Sequence, residues 1–292
     1  MKQCPSCRAE IGGPVWSCPA CSWAAETVEG VALLGTRDPG ARSGFAAEFF
    51  EQLAQLEAGH FWFRARNRIL AWAVGRYVGD RGAFLEVGCG TGFVLQGLKQ
   101  AHPDLQCTGT ELFPEGLAIA ARRIKDVEFL QMDAGAIPFV DHFDALGAFD
   151  VLEHIAEDEA VLAQFQQALR PGGWLLLTVP QHDWLWSRND DHARHQRRYS
   201  RTLLEEKVKR SGFTVVRATS FVSFLLPLLI LSRWRRDARK AFDPLAEYRL
   251  PGWLQRVLEA ILAVEFAFIR LGVDWPAGGS LLLIARKGGG QA

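Results

Sequence analysis

Four cysteines near the start of the chain stand in two C-x-x-C pairs, Cys4 with Cys7 and Cys18 with Cys21. A tight turn sets two thiolates side by side, and two such turns make a tetrahedral sulfur set suited to zinc. All four positions are taken by protein, so the expected site is structural, with no position open for chemistry. A segment this short buries too little apolar surface to fold unaided, and the metal would supply its stability. A second group is Glu86, Gly88, Cys89, Gly90 and Gly92, which follows one apolar run and opens an amphipathic one. Glycines there let the backbone close around a ligand, and a helix N-terminus adds a positive field. The spacing is G-x-G-x-G, not the G-x-G-x-x-G of dinucleotide turns. Glu86 would repel a pyrophosphate but suits a ligand bearing an ammonium group. A third group joins His154 to His195, Arg197, Arg198 and Tyr199. Histidine is the natural general base near neutral pH, and paired arginines hold anionic groups. The alternatives are a His154 that starts a helix or supports the site from behind, and a solvated loop whose Ser200 caps the next helix.

The elements that would carry these groups alternate in type. Apolar runs at 83–87, 105–110, 127–130, 143–149 and 174–179 read as strands. Helical patterns lie between them at 93–101, 115–124 and 157–169. Such alternation implies a parallel sheet covered on both faces, with ligands at the carboxyl ends of its strands. Residues 213–221 and 280–287 read as a sixth and a seventh strand, the last closing the sheet as an antiparallel edge. Ahead of the sheet, glycines and Pro39 mark 22–44 as a linker. Two helices follow it, one carrying Phe49, Phe50, Leu53 and Leu56, the other covering 62–78.

The chain resembles the class I S-adenosylmethionine-dependent methyltransferases over about residues 80–220 plus the final strand. Five motifs in order carry the resemblance. Glu86, Gly88, Gly90 and Gly92 match the segment that holds the methionine part of the cofactor, with Cys89 filling the turn. Glu111 matches the acid that takes both ribose hydroxyls, and Leu112 would pack on the adenine. Asp133, followed by Ala134, matches the residue that reads the adenine amino group. Phe149 and Asp150 lead through Glu153 to His154 after the fourth strand, and residues 169–173 form the turn into the fifth. The H-x-x-R-R-Y loop at 195–199 is similar to one in a bacterial branch of these enzymes associated with surface glycans and lipid-linked pathways. The resemblance implies a Rossmann-like α/β fold with a seven-stranded, mostly parallel sheet. The expected order is a zinc-ribbon-like module (1–26), linker and N-terminal helices (27–79), methyltransferase core (80–223), helical insertion (224–279), and last strand and tail (280–292). His154 and His195 are then the catalytic candidates, and Arg197, Arg198 and Tyr199 the substrate-binding ones.

Residues 222–279 fill the place where this family has a short turn. They are rich in large apolar groups, and the basic run 233–240 adjoins them. Apolar surface beside positive charge suits an anionic membrane surface or a lipid-phosphate acceptor; the plainer reading is a helical cap packed on the core or on a second subunit. The whole chain has 292 residues, with 33 basic and 33 acidic side chains. That balance does not advertise nucleic-acid binding. With no apolar leader and no long apolar span, a cytoplasmic location is the expectation, with peripheral contact at the inner face of the membrane a second one. The leading function is methyl transfer to a small-molecule, glycan or lipid-linked acceptor, with oxygen slightly favoured as the atom methylated. The alternative is an rRNA or tRNA methyltransferase gripping RNA through the zinc module. Against it, residues 1–26 hold only Lys2 and Arg8 as basic groups.

Overall fold

The computed structural model describes residues 1–35, 48–234 and 248–289. The parallel strands are β5 (Gly82–Val87), β6 (Leu105–Glu111), β7 (Glu128–Gln131), β8 (Phe143–Phe149) and β9 (Leu169–Pro180). Helices α3 (Phe93–Ala101), α4 (Pro114–Arg123) and α5 (Asp158–Ala168) connect them. β5 to β8 are buried along most of their length, as the near-continuous apolar runs require of a sheet covered on both faces. β10 (Phe213–Phe221) and β11 (Ser280–Lys287) pair antiparallel, and β11 inserts between β10 and β9. β5 sits between β6 and β8, so the strand order reverses there. The crevice at the carboxyl ends of β5 and β8 is the ligand position that this topology provides.

The sheet has nine strands, not seven. The two extra ones come from the stretch read as linker. β3 (Glu26–Val28) and β4 (Val31–Leu33) form a hairpin, and β4 adds in parallel to β7. Its turn is Glu29-Gly30, both with positive φ, the backbone that a two-residue hairpin demands. Val31 and Leu33 face inward and are buried. Gly30 is thus the pivot of a hairpin rather than a break in structure. Ahead of it, β1 (Lys2–Gln3) and β2 (Glu10–Ile11) form a separate two-stranded ribbon. The ribbon rests on the core: Gln3 donates its backbone N–H to the Pro138 carbonyl, and Trp16 meets Phe139 edge-on with ring centroids 5.4 Å apart.

α1 (Glu48–Leu56) packs against α4, α2 (Phe61–Ala73) packs against α3 and the insertion, and α2 runs into a wider turn over Val74–Val78. The insertion supplies α8 (Leu226–Trp234) and α9 (Gly252–Arg270). α9 buries Leu258, Leu262 and Ile269 on one face and holds α2 through Glu259, which pairs with Arg64 and Arg68. Its opposite face exposes Trp253, Val257, Val264 and Phe268. Among the described residues no helix is long and apolar enough to cross a membrane. Most of the basic run, residues 235–240, lies outside the described residues.

Candidate functional site

A cavity of about 1530 Å³ opens at the carboxyl ends of β5, β6 and β8. Small-ligand sites commonly measure about 300–1,000 Å³, so there is room for two ligands side by side. One end is built by the glycine turn. Gly88 and Gly90 have positive φ, and the N–H groups of Gly88 and Cys89 both donate to the Thr110 carbonyl. A Cβ on Gly88 would stand 2.5 Å from a Val151 methyl, so only glycine fits. Glu86 is fully buried at the end of β5, and its Oε2 has no hydrogen-bond partner among the described residues. Burial pushes its carboxyl up to about 8 against the opposing charge of Arg66, with Glu111 pushing the same way. A buried carboxyl without a partner is costly, and a cationic ligand group would relieve it.

Glu111 closes the same end. Its carboxylate accepts backbone N–H groups from Gly90 at 3.0 Å, Leu112 at 2.7 Å and Phe113 at 3.2 Å. Burial raises its pKa, and those three donors work against the rise. About four lone-pair sites exist on a carboxylate, so a vicinal diol would take the last and compete for the weak Phe113 bond. Leu112, Asp133, Ala134 and Phe149 line the cavity beside it. Asp133 is exposed there and accepts the Gly135 N–H at 2.8 Å, so it shapes its own turn as well as facing the cavity. Buried Gln131 accepts the Gly35 N–H and donates to the Leu112 carbonyl, tying the hairpin strand β4 to this rim. Gly92 does not line the cavity. It precedes α3, and a Cβ there would meet Ala120 of α4 at 2.9 Å, so close helix packing requires glycine at this position.

The other end is built by the segment after β8 and the loop after β9. Asp150 turns the chain with a positive φ and pairs with Arg66 of α2. Glu153 is buried, and burial, together with the charge of Asp150, raises its pKa well above the carboxylate range. His154 is pushed down to about 4 by burial and by His195, so it is neutral at pH 7. The His154 and His195 rings meet edge to face at 4.7 Å, and both line the cavity. His195 Nδ1 lies 2.9 Å from Asp190. Arg198 also lines the cavity, but its guanidinium grips Asp190 with two hydrogen bonds, 2.8 and 3.1 Å, and donates to the Gln181 carbonyl. Burial alone would raise Asp190; the bonds from His195 and Arg198 outweigh it and hold the carboxylate ionised. Arg233 of the insertion borders the same end.

Two of the three residues expected to hold substrate point elsewhere. Tyr199 is wholly buried, outside the cavity lining, and donates its hydroxyl to Asp158 at 2.6 Å. Arg197 also lies outside the lining and pairs with Asp158 at 2.7 Å. Asp158 draws both side chains and Lys207 into one buried ion cluster that anchors the loop to α5. Ser200 caps the following helix, α7 (Arg201–Arg210), as its sequence position suggested. Tyr199→Phe is expected to lower the unfolding free energy by about 1–2 kcal/mol in denaturant titration and to leave cofactor affinity unchanged. A large affinity loss at unchanged stability would return Tyr199 to the binding surface.

Several lining residues had no signal in the sequence. Arg66, Glu57, His60 and Tyr248 reach the cavity from segments with no motif. Glu57 is buried, accepts the Thr91 hydroxyl and pairs with Arg123, bracing the glycine turn from α1's end.

The four N-terminal cysteines converge. Cys4 and Cys21 sulfurs lie 3.7 Å apart, Cys7 and Cys18 3.6 Å, and all four fall within 4.8 Å of one another. A zinc–thiolate tetrahedron with bonds of about 2.3 Å has edges of about 3.8 Å, so the spacing fits that metal. The two turns repeat one design. In each, the residue four places on, Arg8 or Ser22, has positive φ and donates its N–H back to the first cysteine's carbonyl.

Comparison with known proteins bears on this geometry. Residues 52–218 match a family model described as a methyltransferase domain. A demethylmenaquinone methyltransferase of Thermus thermophilus is 35% identical over 98 residues, covering 32% of this chain and 44% of its own. The match thus spans about half the length of such curated relatives, or less. Among solved structures, the [4+2]-cyclase SpnF superposes with a TM-score of 0.57 at 23% identity, covering 85% of this chain and 97% of its own. A Haemonchus contortus phosphoethanolamine N-methyltransferase in complex with S-adenosyl-L-methionine superposes with a TM-score of 0.52 at 21% identity, covering 76% and 52%. These two likenesses concern the fold. The family model spans more than half of the chain and includes the glycine turn, Glu111, Asp133 and His154, and the chain belongs to the methyltransferase domain family.

Proposed function

We propose that this chain transfers a methyl group from S-adenosylmethionine to a small-molecule, glycan or lipid-linked acceptor, most readily at oxygen, and that residues 1–26 hold a structural zinc ion. The observation that carries the reading is a single cavity with two unlike ends. At one, the Glu86 carboxyl, whose Oε2 has no hydrogen-bond partner among the described residues, the Gly88–Gly90 backbone and Glu111 suit an ammonium group and a ribose. At the other, His154, His195 and Arg198 meet the apolar side chains of α8 and α9. When bound, the cofactor supplies a methyl group activated on a sulfonium. The protein's own work is to align the two ligands and exclude water, and the insertion roofs the cavity for that purpose. The exposed apolar stripe of α9 supports contact with a lipid surface, and Leu254 and Leu258 on its cavity side support an apolar acceptor.

The test is transfer of label from methyl-labelled cofactor into a lysate separated into small-molecule, lipid, glycan, RNA and protein fractions. Label in the small-molecule, glycan or lipid fraction is expected; label confined to RNA would replace this reading with the RNA-directed one. For the zinc, acid-unfolded protein is expected to release one equivalent to a colorimetric chelator. Cys7→Ser and Cys21→Ser are expected to lose the metal and much of the stability of residues 1–26. Full metal content in both variants would remove the four-sulfur site.

A further inference from the structure

We propose that Glu153, His154 and His195 form a divalent-cation site at the acceptor end of the cavity. Their candidate ligand atoms lie within 4.8 Å of one another, and all three residues line the cavity. The donor set, two imidazole nitrogens and one carboxylate oxygen, suits first-row divalent ions such as manganese, iron, cobalt or zinc.

Three observations point to a ligand rather than to a packed polar cluster. The first is Glu153, only 1% exposed, whose Oε2 lacks any hydrogen-bond partner among the described residues. The neighbouring guanidiniums of Arg66 and Arg198 pair with Asp150 and Asp190, and neither reaches Glu153 Oε2 within hydrogen-bond distance. The second is how the imidazoles are held. His154 Nδ1 lies 3.0 Å from the Ala193 carbonyl, which can only accept, so Nδ1 carries the hydrogen and the lone pair is on Nε2. His195 Nδ1 lies 2.9 Å from the Asp190 carboxylate, with the same consequence. An outer carbonyl or carboxylate fixing the tautomer in this way is the usual support of metal-binding histidines. The third is the frame. The Gln196 N–H donates to the Glu153 carbonyl at 2.6 Å, locking the two segments that bring the three ligands together.

Ligand atoms around an ion at about 2.1 Å stand about 3–3.5 Å apart, so a pair at the 4.8 Å limit closes by at most about 1–2 Å on binding, within the reach of side-chain torsions. Three protein ligands leave positions open toward the cavity, as in catalytic rather than structural metal sites. An acceptor with one hydroxyl, or two adjacent ones, would complete the coordination there. That last step rests on the methyl-transfer reading; the metal site does not.

The experiment is titration of the full zinc-loaded chain with Mn²⁺ and, separately, Co²⁺, followed by calorimetry, with pulsed electron paramagnetic resonance on the Mn²⁺ complex. S-adenosylmethionine affinity is measured on the same samples as the check of folding. One Mn²⁺ per chain with nitrogen hyperfine coupling is expected. Glu153→Gln and His195→Asn are each expected to weaken it by about tenfold or more, with cofactor affinity retained. No binding of either ion, Mn²⁺ bound without nitrogen coupling, or undiminished affinity in both variants would overturn the proposal. Metal bound without methyl transfer to any fraction would leave the site standing and remove the functional reading. Transfer without metal binding would do the reverse.

Discussion

Glu111→Ala is expected to weaken S-adenosylmethionine binding by about 100-fold or more in calorimetric titration. Two charge-assisted hydrogen bonds to a ribose contribute about 1.5–3 kcal/mol each, which sets that scale. The loss reaches further than the ribose. The same carboxylate accepts the N–H groups of Gly90, Leu112 and Phe113, so its removal strands three donors on a 9%-exposed rim. The glycine turn then loses its brace, and stability should fall by about 2–4 kcal/mol. Glu111→Gln keeps one acceptor oxygen and should recover part of both losses. Wild-type affinity in the alanine variant would mean that the cofactor lies elsewhere.

Glu86→Gln is expected to make the ligand-free protein more stable at alkaline pH while weakening the cofactor. Burial lifts the folded-state pKa from 4.5 to about 8. A folded pKa above the unfolded one gives stability that is complete below about 4.5 and is lost as pH climbs through about 8. Each pH unit inside that window costs about 1.4 kcal/mol at most. The neutral amide escapes this loss, and a gain of about 2–4 kcal/mol at pH 9 should appear as a higher denaturation midpoint. The ligand's ammonium group favours the ionised carboxylate. Wild-type affinity should therefore rise about tenfold between pH 6.5 and 7.5, a slope that the glutamine variant lacks. Parallel pH profiles in the two proteins would show that Glu86 does not meet a cation.

How much was legible in the sequence differs by element. Strand β8 and helix α3 fall where the apolar runs placed them, because buried parallel strands and amphipathic helices write their burial into residue order. The β3–β4 hairpin was hidden because its strands are short and Glu29 gives no sign of a left-handed backbone. Glu86, Glu111 and Asp133 meet at one rim, as a motif tied to a strand end allows. Arg197 and Tyr199 show the limit of that logic. The H-x-x-R-R-Y pattern advertises chemistry, yet Asp158, far along the chain, claims both residues for structure. The Arg66–Asp150 pair shows the converse, since nothing local marks an arginine in the middle of α2 as part of a site.

Gln131 spans the gap between the end of the amino-terminal hairpin and the rim of the cavity, with Gly35 on one hand and Leu112 on the other. Cutting the catalytic portion out as a stand-alone fragment beginning after residue 35 would therefore not be neutral surgery. It would strip a parallel neighbour from β7, bare the Leu130–Gln131 backbone to water, and slacken the very ledge on which Leu112 sits. Swapping amino-terminal modules between relatives would meet the same seam.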